Sequence, residues 1–274
     1  MNRNDRVALT FERLSVEGRA GLVTFITAGD PDPETSQQLL ERLPDAGADI
    51  IELGMPFSDP MADGPAIQAA NLRALASGTS LRNTLDMVAR FRQGNEGTPV
   101  ILMGYFNPIY QYGPARFVRD AVESGVDGLI MVDLPPEEDD ELCDPARTAG
   151  LHWVRLVTPT SDEKRLKQVL RNTSGFIYYV SIAGITGTRS ATTGAVGDAV
   201  EALRQHTSLP IAVGFGINSP DQVKQTGEIA DSAVVGSAII REVERNLDSS
   251  GSAQPQLLDR VTELVSALAE GLRS

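Results

Sequence analysis

The chain has 274 residues, 41% of them hydrophobic, with 37 acidic against 24 basic side chains, two histidines and one cysteine. A globular chain of this length buries about three-quarters of its extended surface, ample for one large core, while its net charge of −13 opposes attraction to nucleic-acid phosphates or anionic lipid. Cys143 has no partner for an internal disulfide, the first ten residues lack the apolar run of a signal peptide, and no apolar stretch reaches the roughly 20 residues of a membrane span, so the expected location is cytoplasmic.

Along the chain, Val7, Phe11 and Leu14 recur at helical spacing ahead of any strand, which predicts an amino-terminal helix with one apolar face. Strand candidates follow at 21–27, 49–54, 98–103, 127–132, 152–157, 175–180, 210–214 and 231–236. Most are near-continuous apolar runs, as strands covered on both faces of a parallel sheet require. Amphipathic stretches at 34–46, 80–93, 114–124, 137–149, 162–171, 195–206 and 219–226 separate them. A further helical pattern opens at Gly236 and Ser237, and an apolar stripe runs from Leu257 to Leu268 after the polar stretch 248–255. The segment MPFSDPMADGP (55–65) is too rich in Pro and Gly for a helix and reads as a loop. Eight strand and helix alternations predict an α/β fold, a (β/α)8 TIM barrel forming one domain over residues 1–274. The amino-terminal helix would close its floor, and a short phosphate-binding helix would follow strand eight. AGADIIELG, SGVDGLIMVD and EIADSAVVGS form a weak repeat in which Asp precedes an apolar strand. A doubly wound open sheet is the alternative, and it lacks a G-x-G-x-x-G after the first strand.

Composition narrows the chemistry. The only lysines, Lys164, Lys167 and Lys224, fall in segments patterned as surface helices, which disfavours a Schiff-base amine. His152 and His206 stand in no metal-ligand spacing and read as packing or surface residues, so acid–base work falls to carboxylates. Barrel active sites lie at the carboxyl ends of the strands. Glu52 is the outlier there, a carboxylate inside the apolar strand IIELG that must be partnered, open to a cavity or readily protonated. The following loop brings Asp59 and Asp63 over the same mouth. Either Asp equally reads as a turn or cap residue, and spacing does not separate the roles. Gly214 and Gly216 after strand seven and Gly236 and Ser237 after strand eight permit close backbone approach. Loops at these two strand ends, with a helix N-terminus, make the common phosphate site of barrels. Ser219 and Pro220 read as the cap and first turn of a helix, and the acidic run 137–141 as a solvated helix start rather than a metal site.

The segment IELGMPFSDPMADGP resembles the signature of the tryptophan synthase alpha subunit family. The likeness continues through VTFITAGDP (23–31), LMGYFNPIYQYG (102–113), DGLIMVDLPPEE (127–138), YYVSIAGITG (178–187), VGFGI (213–217) and VVGSAII (234–240). It implies a TIM barrel that cleaves indole-3-glycerol phosphate to indole and glyceraldehyde 3-phosphate, with Glu52 as general acid–base and Asp63 as second catalytic carboxylate. It further implies an indole pocket of Phe25, Met103, Tyr178 and Phe215, with the Tyr178 hydroxyl near Glu52. Thr186 and Gly187 would close over the phosphate held at Gly216, Gly236 and Ser237. No metal or cofactor is implied in this chain. Pyridoxal phosphate is expected in a partner beta subunit, docked through Pro56, Asp59, Asn107, Pro108 and Asp133 in an α2β2 heterotetramer. Two positions depart from the family, Ile182 where many members carry Arg and Ile185 where Val is usual. The competing readings are another phosphosugar barrel enzyme, which wants different groups at the first two strands, and a non-catalytic barrel, which has no need of two carboxylates.

Overall fold

The computed structural model describes residues 5–161, 163–180, 189–214 and 216–273. The first half runs α1 (Arg6–Glu17), β1 (Gly21–Thr27), α2 (Pro33–Arg42), β2 (Ile50–Gly54), α3 (Pro65–Ala76), α4 (Leu81–Gly94), β3 (Val100–Gly104), α5 (Phe106–Tyr112), α6 (Pro114–Ser124) and β4 (Gly128–Met131). A 3-10 turn (Pro136–Glu141) leads to α7 (Cys143–Thr148), β5 (His152–Trp153), β6 (Arg155–Val157), α8 (Glu163–Leu170), β7 (Ile177–Val180) and α9 (Arg189–Arg204). Then come β8 (Ile211–Gly214), α10 (Pro220–Gly227), β9 (Ser232–Val235), α11 (Ser237–Arg245) and α12 (Leu257–Gly271).

All pairings between these strands are parallel, in the order β5-β4-β3-β2-β1-β9-β8-β7-β6. The two ends of that series, β5 and β6, are successive pieces of one strand divided at Val154. Its first half bonds β4 and its second half bonds β7, so the division marks where the strand changes neighbours. Chain continuity there closes the predicted eight-stranded barrel. Among the described residues no helix is long and apolar enough to cross a membrane.

Strand side chains alternate between the barrel interior and the surrounding helices. The interior holds Val23, Ile50, Ile101, Ile130, Val154, Phe176, Ala212 and Val234, with Val7 of α1 among them and Phe11 packed against the cluster. The Phe11 and Phe176 rings lie 5.9 Å apart, so α1 plugs the floor as expected. The carboxyl-terminal end is left as the open one. Between sheet and outer helices lies a second, larger apolar layer that includes Leu22, Leu39, Leu53, Val88, Leu129, Val235, Val261 and Leu268.

The three repeat aspartates have a physical role at that floor. Asp49 accepts the Leu22 N–H at 2.9 Å, Asp127 the Val100 N–H at 2.8 Å and Asp231 the Ile211 N–H at 2.8 Å. Each therefore sits just before its own strand and satisfies an amide near the start of the preceding strand, pinning the register of the pair. Arginines balance the charge: Arg13 and Arg19 at Asp49, Arg6 and Arg92 at Asp127, and Arg204 at Asp231.

Two helices were not foreseen. The α3 stretch, PAIQAANLRALA, packs against β1 and α11 yet carries Leu72, 61% exposed, on its outer face, and apolar residues on both faces blur the helical period. The seven-residue α5 carries Pro108 in its first turn, tolerable where the amide has no helical partner. The predicted helix over 137–149 is instead the 3-10 turn and α7, parted at Leu142, whose φ of −147° is not helical. Replacing Asp127 by Ala strands an amide and two guanidinium groups in a partly dry site. We expect a loss of about 3 kcal/mol in urea unfolding, with the function of the folded fraction unchanged, because the residue lies at the end opposite the mouth.

Candidate active site

Period-two alternation carries each strand from the floor to the mouth. Two residues beyond Val23, Ile50, Ile101, Phe176, Ala212 and Val234 stand Phe25, Glu52, Met103, Tyr178, Gly214 and Gly236. Phe25 and Glu52 are register partners on β1 and β2, and Glu52 is in turn paired with Ile101 on β3. The sequence thus forces a carboxyl group into a ring of apolar side chains. Phe25 and Met103 pack with Ala66, Ile67, Ala70 and Ile240 in one small apolar cluster, and Met103 and Tyr178 also border the barrel interior beside Leu156. Three of the four expected indole-pocket residues therefore meet at the mouth. Phe215, Thr186 and Gly187 lie outside the described residues, as do Ile182 and Ile185.

Glu52 is 1% exposed, and its Oε1 has no hydrogen-bond partner. Burial pushes its pKa from 4.5 to about 8, and among the described residues no cation offsets the cost. Tyr178 lies close enough that Glu52 adds to burial in raising the phenol well above its ordinary value. The ring also approaches β8 so closely that a Cβ on Gly214 would stand 2.5 Å from the Tyr178 hydroxyl, which explains a glycine at that strand end.

Asp63 is half-buried in the loop between β2 and α3, and burial lifts it to about 6 against a downward pull from the Tyr105 hydroxyl. That loop has little regular structure and is held from outside. Phe57 N–H donates to Asn71 Oδ1 at 2.9 Å, Ala62 N–H to the Tyr105 hydroxyl at 3.0 Å, and Gln68 Nε2 to the Asp63 carbonyl at 2.8 Å. Asp30, 3% exposed in the loop after β1, receives Arg73 of α3 at 2.6 and 2.9 Å. Tyr105, Asn71, Arg73, Ile67, Leu156 and Ile240 carry no role in the sequence reading above. Only Tyr105 offered a signal, a hydroxyl-bearing ring at the carboxyl end of a strand.

At the next strand ends, Gly216 has a φ of 68° and open space where a Cβ would stand. Any side chain there would also be strained. Gly236 is the N-cap of α11, which has no side-chain cap and no acidic residue in its first turn, and Ser237 opens the helix. Its N-terminal amides thus lie at the mouth with no side-chain cap from Gly236 and no carboxylate in the helix's own first turn. Ser219 caps α10 and Pro220 begins it, as expected. Of the expected docking residues, Asp59, Asn107 and Asp133 are exposed and Pro108 is half-buried, whereas Pro56 is buried in the isolated chain.

The family model described as tryptophan synthase alpha chain matches residues 11–270. The chain belongs to the tryptophan synthase alpha chain family. The alpha subunit of tryptophan synthase from Legionella pneumophila is 39% identical and superposes with a TM-score of 0.89, each chain covered to 98%. Tryptophan synthase from Mycobacterium tuberculosis, in an aminoacrylate-bound form, contains a chain 31% identical with a TM-score of 0.86, covering 98% of this chain and 99% of that one. A protein of Aquifex aeolicus is 34% identical with a TM-score of 0.87, at 98% and 99% coverage. As a tryptophan synthase alpha chain the protein is a lyase that cleaves indole-3-glycerol phosphate in tryptophan biosynthesis and pairs with the beta subunit.

An acid with a raised pKa binds a proton in the folded state that the unfolded chain has released. Glu52 therefore opposes folding increasingly as pH rises from about 4.5 to about 8, and no further above that. Glu52→Gln, which cannot ionise, should be more stable than the unsubstituted protein at pH 8 by up to about 4 kcal/mol, with the difference vanishing below pH ~4. Urea unfolding across this range measures it. A constant difference would mean that the carboxyl is not held protonated.

Proposed function

We propose that Glu52 and Asp63 carry the cleavage between them, Glu52 moving both protons and Asp63 bearing the charge. The observation that supports this reading is the buried Glu52 carboxyl, whose Oε1 has no hydrogen-bond partner, together with a second carboxyl of lower pKa in the loop that follows its strand. Near pH 7 the first is an acid and the second an anion, a division of labour set by environment alone. Protonated Glu52 gives its proton to the indole carbon that bears the side chain. Positive charge then appears at the ring nitrogen, whose N–H is held by Asp63 in a charge-assisted hydrogen bond. Glu52, now a carboxylate in an apolar site, takes the proton of the adjacent side-chain hydroxyl. The carbon–carbon bond breaks, its electrons return to the ring, and indole and the aldehyde form with Glu52 again protonated. The protonated ring is the electron sink, so this step requires no metal or imine.

Phe25, Met103 and Tyr178 supply the apolar surface for the ring, with Phe215 joining them in this reading. The phosphate belongs at the other side of the mouth, on the free amides of α11 with Gly236 and Ser237 and beside Gly216, where the Thr186–Gly187 pair would cover it. The beta subunit is assigned the pyridoxal phosphate and an α2β2 assembly in the cytoplasm. Its docking face is the rim of Asp59, Asn107, Pro108 and Asp133, where Met61 is 84% and Tyr110 59% exposed. Large apolar side chains left in water around a polar rim suit a protein interface.

Glu52→Gln and Asp63→Asn should each lower single-turnover indole release about 10²- to 10⁴-fold, with substrate binding largely kept. In the unsubstituted protein kcat/KM should rise through pH about 6 as Asp63 ionises and fall through about 8 as Glu52 does. Near-normal rates in Glu52→Gln would remove the acid–base assignment. Gly236→Val tests the phosphate subsite, since its side chain would stand against Phe25 and over the α11 amides. Calorimetry should show glycerol phosphate binding weakened at least about tenfold, and unchanged affinity would put the phosphate elsewhere.

A further inference from the structure

Between the docking rim and the loop that carries Asp63 stands one side chain that touches both. Tyr105 is the last residue before α5, the helix that bears Asn107 and Pro108, and it is 3% exposed. The start of α5 is fixed from the β4 side, where Asp133 Oδ1 accepts the Phe106 N–H at 2.8 Å. In the other direction the Tyr105 ring packs on Phe57 with centroids 5.3 Å apart, and its hydroxyl accepts the Ala62 N–H at 3.0 Å. Ala62 is the residue immediately before Asp63. A phenol has one proton to give and lone pairs to receive. With the Ala62 amide occupying the acceptor side, the proton is free for the Asp63 carboxylate, the carboxyl on which this hydroxyl acts. Asn71 holds the other end of the loop through the Phe57 amide but reaches nothing on the rim.

We propose that Tyr105 is a positioning residue that sets the catalytic Asp63 in place and links it to the face on which the beta subunit docks. This rests on the assignment of Asp63 made above. The bond that the Ala62 amide gives this hydroxyl fixes the backbone immediately before Asp63, and the hydroxyl faces the Asp63 carboxyl. Whatever seats α5 and Asp133 also seats the ring that holds Ala62, so docking reaches Asp63 through a single rigid aromatic group rather than through the irregular loop. The groups facing this hydroxyl are Asp63 and Asp133, and among the described residues Tyr105 is the side chain that acts on the Asp63 carboxyl. A donor to the ionised form lowers a carboxyl pKa, so removing it must raise the pH at which Asp63 ionises.

The experiment compares Tyr105→Phe, Asp63→Asn and the double variant, each assembled with the beta subunit. Phenylalanine keeps the ring against Phe57 and deletes only the hydroxyl. Expected for Tyr105→Phe are a fall of about tenfold in kcat with KM within about twofold, and a rising limb of kcat/KM displaced to higher pH. The gain in rate on titrating beta subunit should be smaller, and in the Asp63→Asn background the substitution should change the residual rate less than twofold. If Asp63→Asn keeps normal rates, the assignment of Asp63 itself fails. If Asp63→Asn is inactive but Tyr105→Phe matches the unsubstituted enzyme in kcat and in pH profile, the positioning role is overturned while the catalytic reading stands. Failure of Tyr105→Phe to fold, read by near-ultraviolet circular dichroism, would also overturn it, by showing that the hydroxyl is needed for the fold rather than for Asp63.

Discussion

A closed parallel barrel can fill its interior only with every second side chain of each strand, and this alternation governs the rest of the molecule. Once Val23, Ile50 and Phe176 point inward at the floor, Phe25, Glu52 and Tyr178 must point inward one level higher. Glu52 has no freedom to turn to water, because a shift of register by one residue would send Ile50 and the whole inward set of β2 to the helix side. The cost of burying that carboxyl is therefore carried by the barrel. It is tolerable because the group keeps its proton near neutral pH, and that is the state an acid catalyst needs.

The two ends of the barrel divide stability from chemistry. At the floor, the aspartates that open the strands are engaged. Asp49, Asp127 and Asp231 each satisfy a backbone amide and one or more arginines, and α1 covers the opening with Val7 and Phe11. At the mouth the pattern reverses, with an unpartnered Glu52 Oε1 and a helix start without a side-chain cap. A polar group left unsatisfied at the open end of the barrel is one available to a ligand. The rigid floor holds the strand ends in register, so the mouth can afford such groups without loss of geometry.

The loop carrying Asp63 obtains its order from its neighbours. Asn71 from α3 and Tyr105 from the end of β3 hold it by backbone amides, and Arg73 fastens α3 itself to Asp30 after β1. Asp63 thus depends on two other strand ends and on α3 besides its own sequence. Catalytic loops on barrels combine variability with precision by this means, since side chains from adjacent units supply the fixed points.

The sequence by itself determined the strands, the helices with a clear apolar stripe, the floor helix and the anomaly of Glu52, because these depend on periodicity and on local residue chemistry. All eight strand candidates match strands to within two residues at either end, apart from the interruption at Val154. It also carried the motifs by which the family was recognised. Helices α3 and α5 were not legible, since one carries apolar residues on its exposed face as well as its buried one and the other is short and holds a proline, and neither leaves a periodic trace. Spacing left Asp59 and Asp63 indistinguishable. Tertiary structure separated them, leaving Asp59 exposed beside Ser58 and setting Asp63 half-buried against Tyr105. It also showed that the repeat aspartates are register pins and that Pro56 is buried in the isolated chain. Burial and long-range partners decide each of these points, and both arise only when segments far apart in the chain are brought together.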